Sequence, residues 1–297
     1  MSFKKQAGAV LAEPVISLKD WEKLHGRSSF GHKTASLTKV ADDQTRYLLS
    51  HCTIMSSVMT EEVEDWLIRP ECSHLCNNND DAWTNEVLAL SHKSFIGAFN
   101  FVEHYQNSKH AKGHILDAIL RKIQIAGPEV WVYFCDILVA TDMDHEKLVT
   151  EIRGGDVRYL SMGCVTDLVI CSYCGQEVAD NSAYCNHLMF QKGTFIEDEN
   201  GVMRRVAELC GHKSMPHGGV KFVEASWVAT PAFPGAALRN IVAEGWMGPK
   251  TPYTAASDPS DRSAAWLHKA AAVAMRDYEN PVSISRARAL KDLNRLR

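Results

Sequence analysis

From Tyr47 onward the hydrophobic positions fall into segments regular enough to assign. Ile115, Ile119 and Ile123 recur every four residues beside Leu116 and Leu120, and Gly127-Pro128 stops the run, so the spacing predicts an amphipathic helix over about 112–126. The next stretch, Glu129 to Thr141 (EVWVYFCDILVAT), is rich in aromatic and β-branched residues and reads as a strand buried on both faces. Thr141-Asp142-Met143-Asp144 reads as a helix cap, Leu148 and Ile152 supply an apolar face, and Gly154-Gly155 ends that helix. Val157 to Cys164 reads as another strand, and Lys221 to Val228 as a last one, stopped by Thr230-Pro231. Strands and helices alternate irregularly and no Gly-rich phosphate loop separates them. The pattern favours an α+β fold, a barrel with helices, over a doubly wound sheet.

The ends differ from this middle. Residues 1–45 are polar and weakly periodic and read as an arm with one short helix. A Gly/Pro/Ser/Thr-rich linker spans 244–261, and 262–297 is a basic helical tail interrupted at Pro281, so the folded unit is expected over 46–243. Charge changes the picture little: 32 Lys+Arg against 36 Asp+Glu leave a net −4, which gives no field for drawing in nucleic acid or an anionic membrane. No apolar run approaches the length of a membrane span, since Asp136 breaks the best candidate, and no signal-peptide core follows Lys4-Lys5. A soluble chain in a reducing cytosol is the expectation, with no membrane and no specific nucleic acid among its partners.

Nine cysteines, an odd number, and thirteen histidines exceed what packing needs. Cys171-Ser-Tyr-Cys174-Gly175 is a CxxCG knuckle, in which a tight turn aims two thiolates at one point. Cys185-Asn186-His187 follows eleven residues after Cys174. Cys171, Cys174, Cys185 and His187 thus offer a closed Cys₃His set suited to structural Zn²⁺, with no open position for a reactive water. Cys210 and His212 are alternatives for the fourth ligand. Cys72, His74 and Cys76 cluster too closely to close a tetrahedron easily, while Cys52, Cys135 and Cys164 sit in apolar runs as small buried hydrophobes.

Candidate chemistry lies elsewhere. Ser161, in Tyr159-Leu-Ser-Met-Gly163-Cys164, is a hydroxyl on a strand bordered by Gly, where backbone amides can approach an oxyanion. His104 ends the aromatic, strand-like stretch from Phe99 and has a suitable pKa for a general base at neutral pH. Glu224 is a carboxylate inside a strand otherwise suited to burial, so it should have a partner, and His104 is a sensible one. Cys164 is the rival nucleophile. It lies three residues from Ser161, so on a strand its side chain points to the opposite face.

The order of these blocks resembles the prohead (head-maturation) proteases of tailed bacteriophages, serine proteases related in fold to the herpesvirus assemblins. The resemblance covers about 46–243: a strand-borne His, here at the end of Phe99 to His104; then Ser161-Met-Gly163; then Glu224-Ala-Ser226-Trp-Val228 leading to Pro231-Ala-Phe-Pro-Gly-Ala236. It implies an assemblin-like β-barrel core surrounded by helices, with Ser161 as nucleophile and His104 as general base. Glu224 aligns with the acidic position of the last motif, with His145 and Asp136 as alternatives for the third place. The knuckle, inserted over about 165–215, departs from the simplest members and looks like a zinc-bearing variant. The resemblance further implies a serine endopeptidase that cleaves scaffold and major capsid protein inside the assembling prohead, in the host bacterial cytoplasm. Portal or prohead core contacts, homodimerisation and self-cleavage at the arm and tail belong to the same expectation. The competing reading is a non-enzymatic zinc-ribbon protein binding a capsid component or nucleic acid, against which Glu177, Asp180, Glu197, Asp198 and Glu199 make the knuckle's neighbourhood acidic.

Overall fold

The computed structural model describes residues 46–242. The expected arm over 1–45, the linker and the basic tail lie outside the described residues. In chain order the elements begin with β1 (Tyr47–Ser56), β2 (Asp81–Ala82), α1 (Asn85–Ser91), β3 (Phe99–Val102), β4 (Gly113–Ala126) and β5 (Val130–Asp142). They continue with α2 (Glu146–Gly154), β6 (Tyr159–Thr166), β7 (Val169–Cys171), β8 (Glu177–Val178) and α3 (Asn186–Phe190). The last are β9 (Phe195–Glu197), β10 (Met203–Arg205), β11 (Glu208–Cys210), β12 (Val220–Val228) and β13 (Ala237–Val242). Seven strands close into a barrel in the order β1-β13-β6-β12-β3-β4-β5, with β5 returning to β1. The fold is therefore α+β with a closed barrel, and helices are few among the described residues. No helix among the described residues is long and apolar enough to cross a membrane.

One element differs from its sequence expectation outright. The helix expected over 112–126 is strand β4, paired along its length with β5 from Gly113 opposite Thr141 to Ala126 opposite Val130. A spacing of four is an even spacing, so Ile119 and Ile123 share a face in a strand as they would in a helix. β-Branched isoleucines favour the strand, and the partner β5 supplies the ladder that decides between the two. Gly127-Pro128, read as a helix stop, is the β4–β5 turn, with Gly127 at φ +56°. The helix expected after Thr141 forms as α2, and Gly155 ends it in the left-handed conformation at φ 81°. Its start differs: Thr141 and Asp142 still belong to β5, and His145 is the N-cap without a side-chain hydrogen bond. The strands expected at 157–164 and 221–228 are β6 and β12.

Alternation along the strands separates two faces. Leu160, Ala225, Trp227, Ile137, Val139 and Cys52 join the main core. Trp227 Nε1 donates to Thr141 Oγ1 at 3.4 Å although β3 and β4 separate their strands in the barrel, which places this core inside it. Phe95 stacks on Phe222 at 4.2 Å and extends the core beyond the barrel. Removing a ring as fully buried as Trp227 costs about 3–5 kcal/mol in such a core. The opposite face of β1, β4, β5 and β13 carries a second cluster of Leu49, Leu116, Ile119, Leu138, Ala140 and Val242.

Between β6 and β12 the chain builds a lobe in which β11, β7 and β8 join the earlier β2 in a four-stranded sheet ordered β2-β11-β7-β8, beside the β9–β10 hairpin. The lobe is tied to the barrel domain by β11 running parallel to β2. Ion pairs add to this tie: Lys192 to Asp81 (2.8 Å), Arg204 to Glu61 (2.8 Å) and Arg205 to Asp80 (2.5 Å).

Candidate active site and metal centre

Register on three adjacent strands assembles the candidate catalytic residues. β12 lies antiparallel to β6, with Ser226 opposite Ser161 and Glu224 opposite Gly163. It lies parallel to β3, with Glu224 opposite Phe99. Residues two apart on a strand and directly opposed across a ladder share a face, so Ser161, Gly163, Glu224 and Ser226 point the same way. This face is opposite to the one on which Leu160 and Trp227 fill the barrel.

His104 reaches that face from the end of β3. Glu103 and His104 both adopt left-handed backbone, at φ 49° and 58°, a conformation that costs a non-glycine residue about 1–3 kcal/mol and persists only where surrounding bonds impose it. Here those bonds are visible. The Glu103 amide donates to Trp227 O at 2.9 Å, and Glu103 Oε1 accepts from the Ala229 amide at 2.7 Å. They turn the chain so that His104 Nδ1 donates to Glu224 Oε1 at 2.6 Å. The other carboxylate oxygen, Oε2, accepts from Ser226 Oγ at 2.5 Å, and Gln106 Nε2 makes a long contact of 3.5 Å to Oε1.

Glu224 is only 1% exposed, and among the described residues no Lys or Arg pairs with it; its charge is met by these hydrogen bonds. The His104 side chain remains 41% exposed. Its hydrogen bond to Glu224 raises its pKa above the ordinary value, against burial and with support from the charges of Glu224 and Glu103. An imidazole held through Nδ1 by a carboxylate keeps Nε2 available as an acceptor, which is the arrangement of a general base.

Ser161 is 4% exposed and is placed beside this pair by register, without a direct hydrogen bond to His104 among the described contacts. Catalytic hydrogen bonds are commonly long before substrate binds. The rival Cys164 points with Met162 toward the main core, where burial pushes its thiol up to about 12. The alternatives for the third place stand elsewhere. Asp136 is bound by His51, Thr53 and Arg121, and His145 caps α2. The sequence gives Gly163 and Ser226 only as parts of motifs and gives Gln106 no role, although Ser226 lies two residues from Glu224, a strand spacing that puts both on one face.

The knuckle forms a second centre. One ligand atom each from Cys171, Cys174, Cys185 and His187 lies within 4.8 Å of the others, so the group can hold a metal ion. Cys171 ends β7, and Gly175 at φ +70° makes the turn, donating its amide to Cys171 O at 3.0 Å. A side chain at Gly175 would strike Trp66, whose ring lies 2.7 Å from a Cβ there. Cys185 caps α3, its sulfur accepting from the Leu188 amide at 3.5 Å. His187 packs against Tyr173 with ring centroids 4.7 Å apart, and its buried Nδ1 has no hydrogen-bond partner among the described residues. Three sulfurs and one unsatisfied imidazole nitrogen fit a four-coordinate ion. Cys210 and His212 do not join this group: Cys210 is buried in β11, and His212 bonds Ser214 and faces Asp65. Cys72, His74 and Cys76 form no such group either, and Cys72 and Cys76 belong to the main core, as do Cys52 and Cys135.

No protein-family model matches the sequence, and the chain has no significant match among curated proteins or solved structures.

Proposed function

We propose that this protein is a serine endopeptidase, with Ser161 as nucleophile, His104 as general base and Glu224 as the carboxylate that orients it. The observation that carries the reading is the 2.6 Å bond from His104 Nδ1 to a buried Glu224, on the face that also bears Ser161. With Nδ1–H held by Glu224, Nε2 takes the proton from Ser161 Oγ as that oxygen attacks a peptide carbonyl. The tetrahedral intermediate collapses when the imidazolium returns the proton to the leaving amine. A water, deprotonated by the same Nε2, then releases the acyl group from Ser161. Glu224 stabilises the transient imidazolium, and Ser226 keeps the carboxylate aimed.

The resemblance in motif order to prohead proteases supplies the substrate class: scaffold protein and the N-terminal segment of the major capsid protein, cut inside the assembling particle in the bacterial cytoplasm. Portal or core contacts, a homodimer and self-cleavage outside the described residues belong to the same proposal. Cys171, Cys174, Cys185 and His187 would hold a structural Zn²⁺. Its donor set is closed, so the ion would brace the lobe and contribute no step to the acyl transfer.

Coexpression with the scaffold and capsid proteins tests the reading. Wild type and Cys164→Ala should cleave them and Ser161→Ala should not, with a loss of about 10⁴-fold or more; cleavage at the normal rate by Ser161→Ala sinks it. Metal analysis tests the zinc proposal separately. Cys171→Ser and Cys174→Ser should each lose the one equivalent of zinc that the wild type carries, and unchanged content in both would remove them as ligands.

A further inference from the structure

We infer that Gly163 is a positioning residue, whose missing side chain is what admits the Glu224 carboxylate to His104. The inference rests on the protease reading only for its consequence in catalysis; the geometry stands apart from it.

Glycine inside a strand needs a reason, because it adds conformational freedom to the unfolded chain and leaves nothing to pack. The usual reason, a left-handed backbone, does not hold here: Gly163 is not among the positive-φ residues, and it sits within β6 opposite Glu224. Space is the remaining one. A Cβ at position 163 would lie 2.6 Å from Glu224 Oε1, 3.1 Å from Glu224 Cγ and 3.1 Å from Gln106 Nε2. Oε1 is the atom that receives the His104 proton donor, so the methyl group would occupy part of the volume the functional oxygen needs. Elsewhere a flexible carboxylate could swing aside. Here it is 1% exposed and pinned through Oε2 by Ser226, so it can give way only by losing a partner. The Ser-x-Gly spacing thus joins two functions on one strand face: the hydroxyl of Ser161 and, two residues on, the gap that lets the carboxylate reach the imidazole.

The test uses full-length protein labelled at histidine Cε1, with His104 identified by the resonance that His104→Gln removes. In wild type the His104 midpoint should lie above the ordinary value; in Gly163→Ala it should fall toward that value, as in Glu224→Gln. Cleavage of coexpressed scaffold should drop about hundredfold, as expected when a catalytic group shifts by about an ångström. A His104 midpoint unchanged by Gly163→Ala overturns the inference. Thermal melting gives a second measure if the single variant folds poorly: Gly163→Ala should lower Tm in the wild-type background and leave it unchanged in Glu224→Ala, where no carboxylate remains to clash. An equal loss in both backgrounds overturns it too. If wild type cleaves nothing, the protease reading fails, while the His104 midpoint and the melting comparison still decide the role of Gly163.

Discussion

The barrel holds two histidine–carboxylate pairs of similar geometry and opposite character. His104 Nδ1 donates to Glu224 at 2.6 Å, and His51 Nε2 donates to Asp136 at 2.9 Å; both carboxylates are 1% exposed or less. The surroundings differ. Asp136 also receives Arg121 through Nε at 2.5 Å and Nη2 at 3.0 Å, and Thr53 Oγ1 at 2.8 Å. Burial would raise the pKa of Asp136, but Arg121 and His51 hold it well below the usual carboxylate range. His51, itself buried, has its pKa lowered by burial despite Asp136, whereas the half-exposed His104 is raised by Glu224. Where an arginine occupies the carboxylate, the imidazole is one more element of a packed ionic cluster. Where, among the described residues, the carboxylate is met by neutral donors and a histidine, its charge acts on the imidazole, which stays partly open to solvent.

Exchanging each carboxylate for a neutral side chain is the strongest way to break this comparison. Glu224→Gln should lower scaffold cleavage by about 10³–10⁴-fold, the scale seen when a triad carboxylate is made neutral, and leave the melting temperature within a few degrees of wild type. Asp136→Ala should do the reverse. Stranding Arg121 beside His51 should cost about 3–5 kcal/mol of stability, with cleavage per folded molecule retained. Denaturant melts beside cleavage assays check both. A folded but inactive Asp136→Ala, together with an active Glu224→Gln, would reverse the assignment of roles.

The three catalytic candidates were legible because each announces itself locally. Glu224 is a carboxylate in an apolar strand, His104 ends an aromatic strand, and Ser161 stands beside a strand glycine. The knuckle was legible for the same reason, since CxxCG is a local turn. What was not legible is decided between distant segments. The isoleucines of β4 satisfy helix and strand periods alike, and only the ladder to β5 chooses. The closure of the barrel by β1 and β13 depends on pairing between the two ends of the folded unit, and β13 has just six residues. The left-handed turn at Glu103-His104 is imposed by Trp227 and Ala229, more than 120 residues away in sequence. The space at Gly163 has meaning only once Glu224 lies opposite.

The comparison sharpens further with pH, through a smaller effect. In the proposed mechanism His104 must be neutral to accept the Ser161 proton, and its bond to Glu224 favours the charged form, so its midpoint lies above 6.5. Cleavage should therefore rise with pH through that midpoint and fall about tenfold for each unit below it; Glu224→Gln should move the midpoint down toward 6.5. Stability responds with opposite signs at the two histidines. The raised His104 contributes stability that is full below 6.5, the unfolded value, and is lost as pH rises through the folded midpoint. The depressed His51 works the other way: from 6.5 down to its lower folded midpoint the unfolded chain binds more protons, so acidification weakens the fold. Histidine resonances followed across this range should show one midpoint on each side of 6.5, and His51→Gln should flatten the acid side of the stability profile alone. If both midpoints fell on the same side, burial at His51 and the carboxylate bond at His104 would not be what separates the packed pair from the proposed catalytic one.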